Sequence, residues 1–149
     1  MRIPGFVALV LVVCSQVACG SRSTAVEPDE AARLLVDRNW IDVMPRDAQD
    51  RLHVFRFTPS MGGGVYQDRK VFKGQFELFQ YRAGDGTIDF TFPDTEEHVR
   101  SPFIVERVRN HPPFDLKLII ADDPRGPGVY WSRSDMRGGD LDPSTATAR

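Results

Sequence analysis

The sequence predicts an all-β domain, an antiparallel up-and-down meander of about eight strands rolled into a small barrel, behind one short N-terminal helix. Three observations carry this. From Asn39 onward the apolar residues recur with the period of two that a strand imposes, in short runs rich in aromatic and β-branched side chains. Turn clusters such as Pro45-Arg46-Asp47, Gly62-Gly63-Gly64 and Ala83-Gly84-Asp85-Gly86 interrupt those runs at regular intervals, and helix signals are absent after Arg38. Strands joined by such short turns must run antiparallel to their neighbours, and a meander of this length escapes its exposed edges by curling into a barrel.

Residues 1–18 read as a cleaved secretory signal. They carry one basic residue, Arg2, then an apolar run over 6–13 and small residues around Ala18. That run is far shorter than the roughly 20 apolar residues of a membrane-spanning helix. The stretch Val17-Ala18-Cys19-Gly20 resembles the lipobox of bacterial lipoproteins, although Gln16 stands where that family usually has Leu. Cys14, the other thiol, follows the bulky Val13 where a small residue is wanted. The resemblance implies that Cys19 is acylated and becomes the new terminus, so the expected partner is a membrane held through an N-terminal lipid anchor. Ordinary cleavage after Gly20 is the alternative, giving a soluble periplasmic or secreted protein. Gly20 and Ser21 lack the Asp that marks inner-membrane retention in some lipoprotein systems, so the expected place is the cell envelope with the outer membrane preferred.

Residues 19–26 are small and polar enough to form a tether, 27–137 the β domain and 138–149 a disordered tail. About 130 residues remain after the leader, one domain by length with one modest core. Both cysteines lie in the leader, so no internal disulfide supports that core. The chain carries 19 Lys and Arg against 21 Asp and Glu, and loss of Arg2 with the leader leaves a net charge of about −3. Such a balance gives no electrostatic reason to expect nucleic acid.

Within the domain, 27–38 reads as a helix because Pro28 suits a first helical position and Asp29 and Glu30 suit the positive end of the dipole. Ala31, Leu34 and Leu35 give it one apolar stripe. Strands follow over 39–44, 52–58, 65–67, 71–82, 87–92, 97–108, 115–121 and 129–133. In 52–58, His53, Phe55 and Phe57 share one side. Phe72, Gly74, Phe76 and Leu78 are expected on the same inward face as Ile88, Phe90 and Phe92, with Gly74 making room for a large neighbour. Phe79 and Tyr81 then break the alternation and imply a bulge or a second covered face. Pro102 inside a strand implies an edge, a bulge or an incompletely closed barrel.

This succession, a short helix, a Trp in the first strand at Trp40 and then antiparallel hairpins, resembles the lipocalin-like or calycin group over most of the domain. Arg38 stands where that group's Gly-x-Trp has its Gly. Arg133 or Arg137 is expected as the basic residue packing on the Trp. The resemblance implies a small apolar guest in the barrel mouth and carries over no site residue.

The residues themselves offer little chemistry. His53, His98 and His111 have no paired spacing, no His-Glu-x-x-His or Cys-x-x-Cys element is present, and neither metal nor cofactor is expected. Gly62-Gly63-Gly64 lacks a following Lys-Ser or Lys-Thr and reads as a turn. No Gly-x-Ser-x-Gly elbow supplies a nucleophile, so no enzyme is expected. Asp94, Glu96 and Glu97, and Asp122 with Asp123, read as solvated turn carboxylates, and Arg100, Arg107 and Arg109 as their cross-strand partners. Alternatively Arg107 shares the inward face with Val99, Phe103 and Val105 and meets the acidic head of an amphipathic guest. Trp40 and Trp131, from the first and last strands, are expected to pack together at the barrel seam or over the helix.

Two functions stand against each other. One is an exported, lipid-anchored barrel that binds a small apolar or amphipathic ligand on a lining of Phe72, Phe76, Phe90, Phe92, Phe103 and Arg107. The other is a non-catalytic interaction or assembly module with a solid core and a protein partner in the envelope. An interior void would favour the first.

Overall fold

The structure, a computed structural model, describes residues 23–70 and 73–135. The leader with Cys19, the lining candidate Phe72 and the tail over 138–149 lie outside the described residues. The elements run β1 (Thr24–Ala25), α1 (Pro28–Leu35), β2 (Asn39–Ile41), β3 (Leu52–Thr58), a 3₁₀ turn (Pro59–Met61), β4 (Gly63–Arg69), β5 (Gly74–Gly84), β6 (Thr87–Phe92), β7 (Glu97–His111), β8 (Phe114–Ile120) and β9 (Val129–Ser132).

Strands β2 to β9 form a ring in which each pairs antiparallel with the next, and the ring closes where Ile41 of β2 faces Trp131 of β9. The fold class is the expected one: an eight-stranded antiparallel barrel behind a short helix, resembling the calycin architecture. A two-residue β1 adds to the flank of β7. Because neighbours run antiparallel, the β2–β3, β4–β5, β6–β7 and β8–β9 connections gather at one end, the mouth. Helix α1 lies at the other end, the base. There the β5–β6 hairpin turns through Asp85 and Gly86, both at positive φ, as a two-residue turn matched to strand twist requires.

Helix α1 begins on Pro28 with acidic Asp29 and Glu30 in its first turn, and buries Ala31 and Leu35. It ends three residues before Arg38, shorter than expected. Val36 turns extended and bridges to Phe57, and Asp37 adopts a left-handed φ of 57°. The Trp40 indole donates 2.9 Å to the Leu35 carbonyl, one of the acceptors a helix leaves unpaired at its end. Trp40 thereby locks the helix to the first barrel strand from a fully buried position.

Arg137, one of the two basic residues expected on the Trp, lies outside the described residues, and Arg133 enters the seam through its carbonyl. Arg38 is 2% exposed and its Nη1 donates 3.0 Å to the Arg133 carbonyl, while Ser132 Oγ donates 2.8 Å to the Asn39 carbonyl. Trp131 is not packed with Trp40. It stands on the outer wall with the His111 ring stacked 3.7 Å from it.

Pro102 neither opens the ring nor bulges it. It sits where β7 changes partners, with β6 pairing up to Pro102 and β8 pairing from Phe103 onward. The Ala121 amide donates 2.8 Å to the Pro102 carbonyl as the chain leaves β8, so no ladder bond needs the missing proline N–H. The register shift in β7 falls instead between Arg107 and His111.

Strand β5 corrects the expected face. Phe76 is 74% exposed and Leu78 52% exposed, both on the outer wall, whereas Phe79 is 2% exposed and faces inward with Tyr81. No bulge intervenes: β5 stays in register with β4 and then with β6, where Tyr81 faces Phe90 and Ala83 faces Ile88. With Phe76 and Leu78 inside, the same parity would carry Gln80 and Arg82 into an apolar core. The observed parity leaves Gln75 exposed at the start of the strand and turns Glu77 inward, where Arg125 pairs with it. Room beside the large residue comes from Gly64 rather than Gly74: a Cβ on Gly64 would lie 2.4 Å from the Phe79 ring.

Candidate functional site at the barrel mouth

The barrel interior is a column of aromatic rings. Phe55 of β3 lies 5.6 Å from Phe79 of β5, 5.9 Å from Phe90 of β6 and 5.3 Å from Tyr130 of β9, ring centre to ring centre. Strands β3, β6 and β9 are spread around the ring, so these contacts span the barrel. Phe57, Phe92 and Phe103 complete the lining, each at most 3% exposed. The expected inward residues Phe90, Phe92 and Phe103 are therefore together, while Phe76 is outside.

Arg107 is at the rim of the base. Its Nη2 donates 2.6 Å to Glu30 of α1, with half of the side chain exposed, so it braces the helix and does not point into the interior.

The mouth is filled by the β8–β9 loop, built on Asp123. Asp123 Oδ1 accepts from the Arg125 and Gly126 amides at 2.9 Å each, and Oδ2 accepts from the Gly128 amide at 3.1 Å and the Tyr130 hydroxyl at 2.6 Å. An aspartate gathering successive loop amides is ordinary turn chemistry. Here the buried Tyr130 anchors it to the core. Burial first, and then the Asp123 carboxylate, holds the Tyr130 phenol far above the usual tyrosine range. Gly126 admits no side chain, since a Cβ there would lie 1.9 Å from the Tyr130 oxygen.

A second anchor is Tyr66 of β4, whose hydroxyl donates 2.8 Å to the Arg125 carbonyl. With that hydrogen committed, the Tyr66 oxygen accepts from His53 Nδ1 at 2.6 Å. Burial, followed by the Asp68 and Asp123 charges, raises the Tyr66 phenol.

The loop then aims Arg125 into the mouth. Its Nε and Nη2 donate to the two Glu77 oxygens at 2.6 and 3.1 Å, Nη2 lies 2.9 Å from Glu97, and Nη1 donates 2.9 Å to the Pro124 carbonyl. The guanidinium also lies over the Phe92 ring, 3.8 Å from its centre. This is the planar fork and stacking geometry in which arginine exceeds lysine. The Glu77 hydrogen bond raises the Arg125 guanidinium still further above its normal range.

Asp123, Glu97, Glu77 and Arg125 are thus a structural latch, where the sequence alone suggested solvated turn residues at Asp123 and Glu97. The signal was present in Asp-Pro-Arg-Gly-Pro-Gly, a loop too rich in conformational restriction to be a simple flexible link. Among the described residues no three His, Cys, Asp or Glu side chains converge as metal ligands do. No helix among them is long and apolar enough to cross a membrane. No protein-family profile, no curated protein and no solved structure matches the chain.

Proposed function

We propose that this small β-barrel is a non-catalytic envelope module that works through its outer surface, exported by its leader and carried on a lipid at Cys19. The observation that carries the reading is the Phe55 to Phe90 contact across the barrel, topped by Arg125 over Phe92. A guest of the kind held by calycins needs a void of a few hundred cubic ångströms. To make one here, the latch must leave the mouth and the two rings must part. The groups of the mouth are committed to one another, Arg125 to both glutamates and Asp123 to Tyr130.

Native mass spectrometry of the purified protein tests this. A species with no retained small molecule is expected, and a stoichiometric apolar guest would return the function to ligand binding. The anchor has its own measurement: Cys19→Ser should move the protein from the membrane fraction to the soluble one. Unchanged membrane association would remove the lipid from the proposal.

A further inference from the structure

The outer wall of β4 and β5 carries a patch that the barrel itself does not use. Val65 faces Leu78 and Gln67 faces Phe76 across the two strands, and Met61 lies beside Leu78 toward the base. Phe76, Leu78 and Met61 are 74%, 52% and 71% exposed, and Phe76 is the only aromatic among the exposed large apolar residues described. Toward the mouth this strip runs into Arg69, Lys70 and Lys73. These three cations line an open groove of about 370 Å³ together with Val65, Gln67 and Phe76. Among the described residues none of the three has a carboxylate within ion-pairing distance, whereas neighbouring Arg51 is paired with Asp68.

We infer that this wall docks on a bilayer surface containing anionic lipids, with Phe76 and Leu78 entering the interface and Arg69, Lys70 and Lys73 meeting the phosphates. The charge distribution favours that occupant. The protein is acidic as a whole, yet it leaves three cations unneutralised beside its most prominent exposed aromatic residue. Basic side chains rimming exposed aromatic and aliphatic ones form the pattern of an interfacial surface, and the groove is open rather than shaped to one molecule. Basic side chains near an anionic leaflet add electrostatic attraction to whatever an N-terminal lipid supplies. The inference rests on the reading of a barrel that works outward, and guest retention tests that reading separately.

Phe76→Trp in the full chain supplies the probe, its emission compared with the parent so that the leader contributes equally to every arm. A blue shift on phosphatidylglycerol vesicles, absent on phosphatidylcholine vesicles and reversed by salt, is expected. Adding Lys70→Glu and Lys73→Glu should weaken the response by more than about tenfold, given roughly fivefold per basic residue near an anionic surface. All three side chains are exposed, so thermal unfolding should match the parent. Equal shifts on both vesicle types, or no effect of the charge reversals, would overturn the inference. So would the same shift with inorganic phosphate alone, which would assign the groove to a free anion, or a concentration-dependent shift without vesicles, which would assign it to a second copy.

Discussion

The Phe55 and Phe90 rings meet 5.9 Å apart although their strands stand on different sides of the barrel. The contact carries aromatic packing across the interior, and Phe90 also has Phe57, Phe79 and Phe92 within ring-contact distance. Phe90→Ala should therefore cost about 3–5 kcal/mol of stability. Urea denaturation at constant m-value measures it. The cavity left behind is lined by aromatic carbon and should stay dry, so benzene should raise the variant's melting temperature and leave the parent's unchanged. A loss below about 1 kcal/mol would mean that the rings do not pack as a unit.

Gly64 controls the same core from the backbone side. A methyl group there meets the Phe79 ring at 2.4 Å and the Arg56 carbonyl at 2.5 Å, and the carbonyl belongs to a paired strand that cannot yield. Gly64→Ala is expected to destabilise by about 1–3 kcal/mol. Gly84→Ala, with nothing within 4 Å, is the control and should stay within about 0.5 kcal/mol of the parent. Equal midpoints for the two variants would show that Phe79 is free to move.

Much of this barrel was legible in the sequence because alternation forces it. In β3 only one parity is aromatic, Phe55 and Phe57, and the structure buries that parity; in β6 the parity of Ile88, Phe90 and Phe92 is equally unambiguous. Strand β5 is different because both parities are apolar, Phe76 and Leu78 on one and Phe79 and Tyr81 on the other. Gln80 and Arg82 extend the first parity and mark it as the outer one, a weaker cue than the apolar residues beside them, and the pairing with β4 and β6 that fixes the choice is a long-range property. The latch was illegible for the same reason. Arg125 and Glu77 are 48 residues apart, and nothing local to Asp123 indicates that its carboxylate meets a buried tyrosine. Arg38 looked like a departure from Gly-x-Trp, yet it spans the seam to a carbonyl 95 residues away.

The buried tyrosines make alkaline stability a readout of the mouth. Tyr130 and Tyr66 are raised above the ordinary tyrosine range, and Tyr81 is pushed up to about 12, mainly by burial. In each case the folded chain keeps a proton that the unfolded chain releases above pH 10. Their contribution is complete below that pH and is lost as pH rises toward the folded values. Stability should be flat in this respect near neutrality and then fall by about 1.4 kcal/mol per pH unit for each tyrosine involved. Urea midpoints across the alkaline range measure the slope. Tyr130→Phe should reduce it by one proton, and an unchanged slope would mean that Tyr130 ionises in the folded protein.

The Arg125 to Glu77 pair is the part of the latch most open to energetic test. Both side chains are largely but not wholly buried, 18% and 21% exposed, which places the pair between a screened surface bridge and a desolvated one. Arg125→Ala leaves Glu77 largely buried without its cation and with Glu97 nearby, so the single change should cost more than the pair is worth. A double-mutant cycle with Glu77→Ala removes that excess and should return a coupling of about 1–2 kcal/mol. Amide exchange over residues 121–128 should quicken in Arg125→Ala, because the loop then hangs on Asp123 and Tyr66 alone. If coupling is near zero and exchange is unchanged, the hydrogen bonds of Asp123 hold the mouth shut without the guanidinium, and Tyr130→Phe becomes the variant that opens it.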